Sequence, residues 1–316
     1  MKEKETSGDL HPNNLHRGRY DLIGLAETEP ELKDVIFVNE HGTLTLDFSK
    51  PRSVKLLNKA LLLHHYGYAY WDIPDGFLCP PIPGRADYLH YLSDLLAQNN
   101  GGKIPMGPNI RVLDVGTGAN LIYPMLGIAL FGWSFVGSEI YVPALAAAAK
   151  LVEANPSLTG KVTLRHQADP SVVFQSVLLQ GEVVDLVCCN PPFHESAAAA
   201  QAGSQRKERN LRGTRSASPV LNFGGKAAEL WTDGGERGFV SRMILESARF
   251  SQQVCWFSVL VSKSENLQFL QSQLDQVGVR EQQVIDMAQG NKKSRLLVWT
   301  FLTERQRAAW RTYRWG

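Results

Sequence analysis

The chain has no run of about 18 apolar residues, the length a helix needs to cross a bilayer, so no membrane span is expected in its 316 residues. Its start, Met1 to Asp9, is charged where a secretory leader needs an apolar segment. Cytoplasmic placement is the expectation. Cysteine is scarce: Cys79, Cys188, Cys189 and Cys255 show no CxxC pairing, which argues against a zinc module or a disulfide framework and for buried thiols. No metal is expected, and no internal repeat is visible. What remains is 44% hydrophobic and 20% charged, enough for one large core and a small second module.

The net charge of +2 is unevenly placed. From 289 to 316 seven Lys or Arg stand against one Glu, and from 200 to 216 five stand against one. Local positive charge of this kind suits a polyanionic partner. The final segment also interleaves Trp310, Tyr313 and Trp315 with Arg305, Arg307, Arg311 and Arg314, a mixture fit either for phosphate and base contact or for a solvated tail.

Along the chain, residues 1–10 read as a disordered tail. The segment from His11 to Tyr20, with His16, Arg17 and Arg19, reads as a basic arm able to touch nucleic acid. An alternating run over 43–48 predicts a strand. Ser49 is positioned to cap a helix through Val54, Leu57, Leu61 and Leu62. The stretch Trp71–Gly84 holds four prolines and two glycines, which predicts a stiff irregular loop. Helical spacing resumes from Arg85 and ends at 99–102. Strands are then predicted at 110–115, 133–138, 161–166 and 183–189, with helices from Leu121 and over 143–154, the alternation of a parallel sheet. The Ala, Gly, Ser and Arg-rich stretch 194–225 is too long for a simple connection and reads as a substrate-side lid carrying Arg206, Lys207, Arg209 and Arg212 toward RNA. A helix at 239–250, a strand at 254–261, a helix at 266–277 and an apolar run at 296–302 complete the pattern. The domain division is 11–100 for an N-terminal module that binds RNA and covers the cofactor, 101–303 for the main domain and 304–316 for a basic tail.

Two strand ends carry the chemistry. Asp114-Val115-Gly116-Thr117-Gly118 closes the first main strand, and a glycine turn there brings backbone close to a ligand while Asp114 is placed to accept backbone hydrogen bonds that fix the loop. The third glycine of a dinucleotide fingerprint is missing, which favours a smaller nucleoside ligand. The pattern looks like the first motif of S-adenosylmethionine-dependent methyltransferases. Glu139, at the end of the next strand, suits the two ribose hydroxyls, and Arg85, just past the proline loop, suits the methionine carboxylate. Asn190-Pro191-Pro192-Phe193 follows the run 183–189. A conjugated amine is a poor nucleophile, and acceptors aimed at its N–H groups favour the pyramidal geometry of methyl transfer. The Asn190 side-chain oxygen and the Pro191 carbonyl are such acceptors, Phe193 offers stacking and Pro192 stiffens the turn. A base buried in RNA structure must be turned outward to reach it.

The stretches 71–81, 83–88, Gly118–Pro124, Asn190–His194 and Leu221–Gly225 closely resemble the bacterial 23S ribosomal RNA adenine-N6 methyltransferases, over about residues 10–301. A more distant resemblance is to the eukaryotic U6 small nuclear RNA adenine-N6 methyltransferase. The resemblance implies an α/β fold of class I S-adenosylmethionine-dependent methyltransferase type, Rossmann-like, with a mostly parallel seven-stranded sheet and a small N-terminal module. It implies cofactor contacts at Arg85, Gly116, Glu139 and Asn190, joined by Asp114 and Gly118 from the motif, and a catalytic turn Asn190, Pro191, Pro192 and Phe193. It also implies RNA contact by His11, His16, Arg17 and Arg19. The expected donor is S-adenosyl-L-methionine, leaving S-adenosyl-L-homocysteine. The expected partner is 23S ribosomal RNA or a large-subunit assembly particle, met by a monomer. Two other readings stay open: a protein glutamine N5-methyltransferase and a non-catalytic RNA-binding assembly factor.

Overall fold

The computed structural model describes residues 10–192, 232, 234–289 and 292–315. A small antiparallel pair, β1 (Ile36–Val38) and β2 (Leu44–Leu46), lies among α1 (Leu22–Thr28), α2 (Pro51–Tyr66) and α3 (Ile82–Gln98). Then come β3 (Arg111–Val115), α4 (Ile122–Phe131), β4 (Ser134–Glu139), α5 (Val142–Ala154), β5 (Val162–His166) and β6 (Val184–Cys189). The chain continues with α6 (Gly235–Ser247), β7 (Val254–Val261), α7 (Leu267–Gln276), β8 (Glu281–Gln289), β9 (Lys292–Thr300) and α8 (Glu304–Arg314).

β3 to β9 form one sheet in the order β5-β4-β3-β6-β7-β9-β8. All neighbours are parallel except those of β9, which runs against both β7 and β8. The chain therefore works outward from β3 to β5, crosses back, and continues outward from β6. The reversal falls between β3 and β6, and open α/β sheets bind ligands outside the carboxyl ends of strands at such a point. Those two ends are the glycine turn and Asn190.

β6 and β7 are buried along their whole length, as strands covered on both faces must be. Alternation divides their side chains between two cores. Val112, Leu186, Cys188 and Trp256 face one core, shared with α2, α3 and α4. Leu113, Val115, Val187, Cys189, Phe257 and Val259 face the other, shared with α6 and α7. Residues 11–100 thus have no core apart from the sheet; Leu61, Tyr88 and Leu92 belong to the same cluster as Val112 and Trp256.

Several local expectations are corrected. Ser49 does not cap α2; its N–H and hydroxyl both donate to Asp47, and Pro51 opens the helix after Lys50, a position where a missing N–H costs nothing. For the same reason Ile82, Pro83 and Gly84 belong to the first turn of α3 rather than to the preceding loop. The segment 304–316 is no tail: α8 opens with a Thr303–Gln306 capping box and packs on the sheet. Buried Arg307 donates to Asn99, the Leu302 carbonyl and Glu281, and lies over the Trp256 ring. Trp310 and Trp315 both donate to Asp185 at 2.7 Å, which also takes Arg314 at 2.9 Å and the Arg111 N–H at 2.7 Å. These aromatics are committed to an interior carboxylate, while Tyr313 stays 91% exposed.

Candidate active site

The turn after β3 is built by its glycines. Gly116 and Gly118 have φ of 74° and 65°, a region that strains any residue with a Cβ. In that shape the N–H groups of Gly116 and Thr117 both donate to the Ser138 carbonyl, and Gly118 donates to Glu139 at 3.0 Å. The β3 turn is thereby tied to the end of β4. The other Glu139 oxygen accepts the Tyr141 N–H at 2.9 Å. Burial raises the Glu139 carboxyl above its usual range, against these backbone donors. A carboxylate has about four lone-pair sites, so it retains acceptor capacity.

A cavity of about 160 Å³ opens at this point. Its walls come from the turn (Gly116, Thr117, Gly118), the end of β4 (Ser138, Glu139, Ile140) and the end of β6 (Cys189, Asn190, Pro191, Pro192). Leu78 and Pro80 from the proline loop close one side, and Arg85 on α3 and Tyr123 on α4 reach in from the same side. Trp71 and Asn120 lock the loop: the indole donates to the Asn120 carbonyl at 3.1 Å, and the Asn120 amide donates to the Leu78 carbonyl at 3.3 Å. The opposite wall includes Gln167, Pro170, Val172, Val173, Thr232 and Phe239. Glu246 holds part of it by accepting the N–H groups of Val173, Phe174 and Gln175.

Two polar groups on the cavity wall lack the full set of partners that burial normally demands. The Asn190 side-chain oxygen has no hydrogen-bond partner among the described residues, whereas the Thr117 hydroxyl faces the Asp114 carboxyl. Arg85, 9% exposed, donates to the Tyr123 hydroxyl at 3.2 Å and lies over its ring, yet pairs with no carboxylate among the described residues. A buried guanidinium without an anion is costly, and here it borders a cavity.

The structure thus brings Arg85, Gly116, Gly118, Glu139, Asn190, Pro191 and Pro192 to one cavity. Asp114 is not on its wall. Strand alternation places Leu113 and Val115 in one core and turns Asp114, fully buried, the other way. It accepts the Cys188 thiol at 3.7 Å and, among the described residues, no backbone N–H, and its contact with the loop is to the Thr117 hydroxyl. The backbone of the loop is held by Ser138 and Glu139. Burial pushes the Asp114 carboxyl up to about 7.

Of the expected RNA contacts, His11 and His16 are turned inward, each 5% exposed. His11 bonds Asp94 through its ring and Asp87 through its backbone, and His16 lies between the hydroxyls of Tyr66 and Tyr20. Burial lowers the His16 pKa to about 4, so it carries no positive charge near neutral pH. Arg17 and Arg19 are exposed. Phe193, the lid 194–225 and its Arg206, Lys207, Arg209 and Arg212 lie outside the described residues. Thr117, Tyr123, Gln167 and Phe239 also line the cavity; Thr117, inside the Gly-x-Gly turn, and Tyr123, inside the Gly118–Pro124 stretch, have a local signal in the sequence, and the other two have none.

The sheet order, the glycine turn and the acid after β4 define a class I S-adenosylmethionine-dependent methyltransferase fold. A family profile described as RNA methyltransferase matches residues 4–303, and the chain belongs to that family. It is 51% identical to the ribosomal RNA large subunit methyltransferase F of Ectopseudomonas mendocina (strain ymp), over 100% of this chain and 95% of that one. To the protein of the same name in Aeromonas salmonicida (strain A449) it is 54% identical, over 93% of this chain and 92% of that one. Among solved structures, the human METTL16 catalytic domain in complex with the MAT2A 3′UTR hairpin 1 superposes with a TM-score of 0.79 at 29% identity, covering 93% of this chain and 96% of that one. The N-terminal domain of human METTL16 in complex with SAH gives 0.73 at 26%, covering 93% and 100%.

Proposed function

We propose that this enzyme methylates N6 of one adenine in the 23S RNA of the large ribosomal subunit, using S-adenosylmethionine held in the cavity between β3 and β6. The observation that carries the reading is the pair of polar groups on the cavity wall left without full partners among the described residues: the Arg85 guanidinium and the Asn190 oxygen. Arg85 fits the donor's carboxylate, Glu139 its ribose hydroxyls, and the Gly116–Gly118 turn its close approach to backbone. The relatives named as ribosomal RNA large subunit methyltransferases and the METTL16 domain solved with SAH support the same donor and substrate class.

When bound, S-adenosylmethionine supplies an activated methyl group on a sulfonium and leaves as the neutral thioether. Asn190 accepts one N–H of the adenine amine and the Pro191 carbonyl the other. Both acceptors draw electron density toward nitrogen as it becomes pyramidal, and no base is needed before transfer. Pro192 limits the freedom of the turn, and Phe193 is proposed to stack on the base. Exposed Arg17 and Arg19, with Arg206, Lys207, Arg209 and Arg212, are proposed to hold RNA phosphates. Residues 71–85 are proposed as the cofactor cover.

The test is transfer of label from isotopic S-adenosylmethionine, offered ribosomal RNA and large-subunit particles from cells lacking the gene. Label in RNA supports the proposal. Label in protein would replace it with the glutamine reading, and cofactor binding without any transfer would leave an RNA-binding assembly factor.

A further inference from the structure

Tyr88 stands in α3, three residues beyond Arg85, and is wholly buried. Its ring meets Tyr123 edge-on, with centroids 5.3 Å apart and planes at 86°, so it is wedged between the cofactor side of the cavity and the end of β6. Pairing of β6 with β3 continues to Cys189, opposite Val115. Its pairing with β7 stops two residues earlier, at Val187 opposite Phe257. On that side, side chains replace the ladder.

The Tyr88 hydroxyl lies 3.4 Å from the Cys189 carbonyl and 2.9 Å from the Ser258 oxygen, and the shorter contacts have one consistent direction. The Ser258 hydroxyl donates to the Val187 carbonyl at 2.6 Å. With that proton assigned, the 2.9 Å contact between Ser258 and Tyr88 is a donation from the phenol to the Ser258 oxygen. The phenol oxygen in turn accepts the Cys189 N–H at 3.2 Å. The relay runs Cys189 N–H to Tyr88 to Ser258 to the Val187 carbonyl, and it satisfies the Cys189 N–H, which lies beyond the last β6–β7 pair, by anchoring it through Ser258 of β7 to Val187. Asn190 comes next, followed by two prolines with no N–H of their own. Nothing in Pro191-Pro192 can restore a register lost upstream.

We propose that Tyr88 is a positioning residue for methyl transfer, its hydroxyl setting where β6 leaves the sheet and hence where the Asn190 oxygen and Pro191 carbonyl sit. The inference rests on the reading of Asn190–Pro192 as the acceptor turn. Because the tyrosine touches neither donor nor base, its effect belongs to the transfer step and not to cofactor affinity.

The experiment is single-turnover methylation of ribosomal RNA by the full chain, with SAH binding measured by calorimetry, for Tyr88→Phe, Ser258→Ala and Asn190→Ala. Tyr88→Phe keeps the ring and removes the acceptor of the Cys189 N–H. The expected result is a rate about tenfold lower at saturating RNA, with SAH stoichiometry unchanged and affinity within about twofold. Ser258→Ala leaves the Cys189 bond in place and should cost less than about threefold. An unchanged rate in Tyr88→Phe overturns the inference, and so does loss of SAH binding together with rate, because the hydroxyl would then be holding the fold. Asn190→Ala separates the two readings: full activity there removes the acceptor turn itself, whereas its inactivity beside a fully active Tyr88→Phe removes only the role of Tyr88.

Discussion

Replacing Asp114 with asparagine should stabilise the protein against unfolding in a way that grows with pH. The carboxyl is fully buried, and burial outweighs its contacts with Thr117 and Cys188, so it titrates at about 7 instead of the ordinary 3.8. A raised carboxyl binds its proton more tightly in the folded state, so the stabilisation is complete below pH 3.8 and is lost progressively as pH rises to about 7. At about 1.4 kcal/mol per pH unit, the loss between pH 4 and pH 8 is at most about 4 kcal/mol, and relaxation around the charge brings it to about 2–4 kcal/mol. Asparagine keeps the acceptor for the Cys188 thiol and removes the ionisation. Its amide adds a pH-independent cost of about 1–3 kcal/mol if it finds no acceptor, so the informative quantity is the change in the difference between variant and parent with pH. Reversible urea unfolding of both proteins at several pH values measures it. A difference that stays flat from pH 4 to pH 8 would refute the argument that burial of the Asp114 carboxyl outweighs its hydrogen bonds.

Arg85→Gln should weaken SAH binding by about 10–100-fold in calorimetry, the worth of a charge-assisted hydrogen bond to a carboxylate; unchanged affinity would remove Arg85 from the donor site. Asp185→Ala should destabilise the fold by about 2–4 kcal/mol, since it leaves half-buried Arg314 and two half-buried indole N–H groups without this acceptor. Amide hydrogen exchange should then show α8 opening first, and global unfolding with α8 still protected would contradict that. His90, whose two ring nitrogens are buried without partners among the described residues and whose pKa burial lowers to about 4, must lose stability for the fold as pH falls from about 6.5 to about 4, because the unfolded chain takes up the proton first. His90→Phe should flatten that slope by about 1–2 kcal/mol in the same unfolding series, and an unaltered slope would assign it to other groups.

The central strands and the two ligand-side turns were legible because their signals are local. β3, β4, β6 and β7 are apolar runs ending in glycine, acid or Asn-Pro-Pro, and the observed bounds differ from the expected ones by about a residue. β8 was missed because Glu281–Gln289 is largely polar; as an edge strand it pairs only with β9 and has no need of a continuous apolar sequence. α8 was taken for a tail on its charge, although Thr303 and Gln306 already spelled a capping box. What the sequence could not reveal was where that charge goes, since Asp185 lies more than a hundred positions away. The inward turn of His11 and His16 is hidden in the sequence for the same reason. Their partners Asp87, Asp94 and Tyr66 are brought to them only by tertiary packing. At Asp114 the motif marks the turn, but strand alternation turns the carboxylate away from the cavity, so it meets the loop through Thr117 while Ser138 and Glu139 hold the loop's backbone.

The central claim is that Asn190 and Pro191 act on the exocyclic amine of adenine, and the identity of the modified nucleoside tests it most directly. Ribosomal RNA from cells lacking the gene, methylated by the purified enzyme and digested to nucleosides, should yield N6-methyladenosine as the labelled species in mass spectrometry, and Asn190→Ala should abolish it. A label on a ring nitrogen, on C2 or on a ribose hydroxyl would contradict the account, because none of those positions presents the two N–H groups that the turn is built to accept.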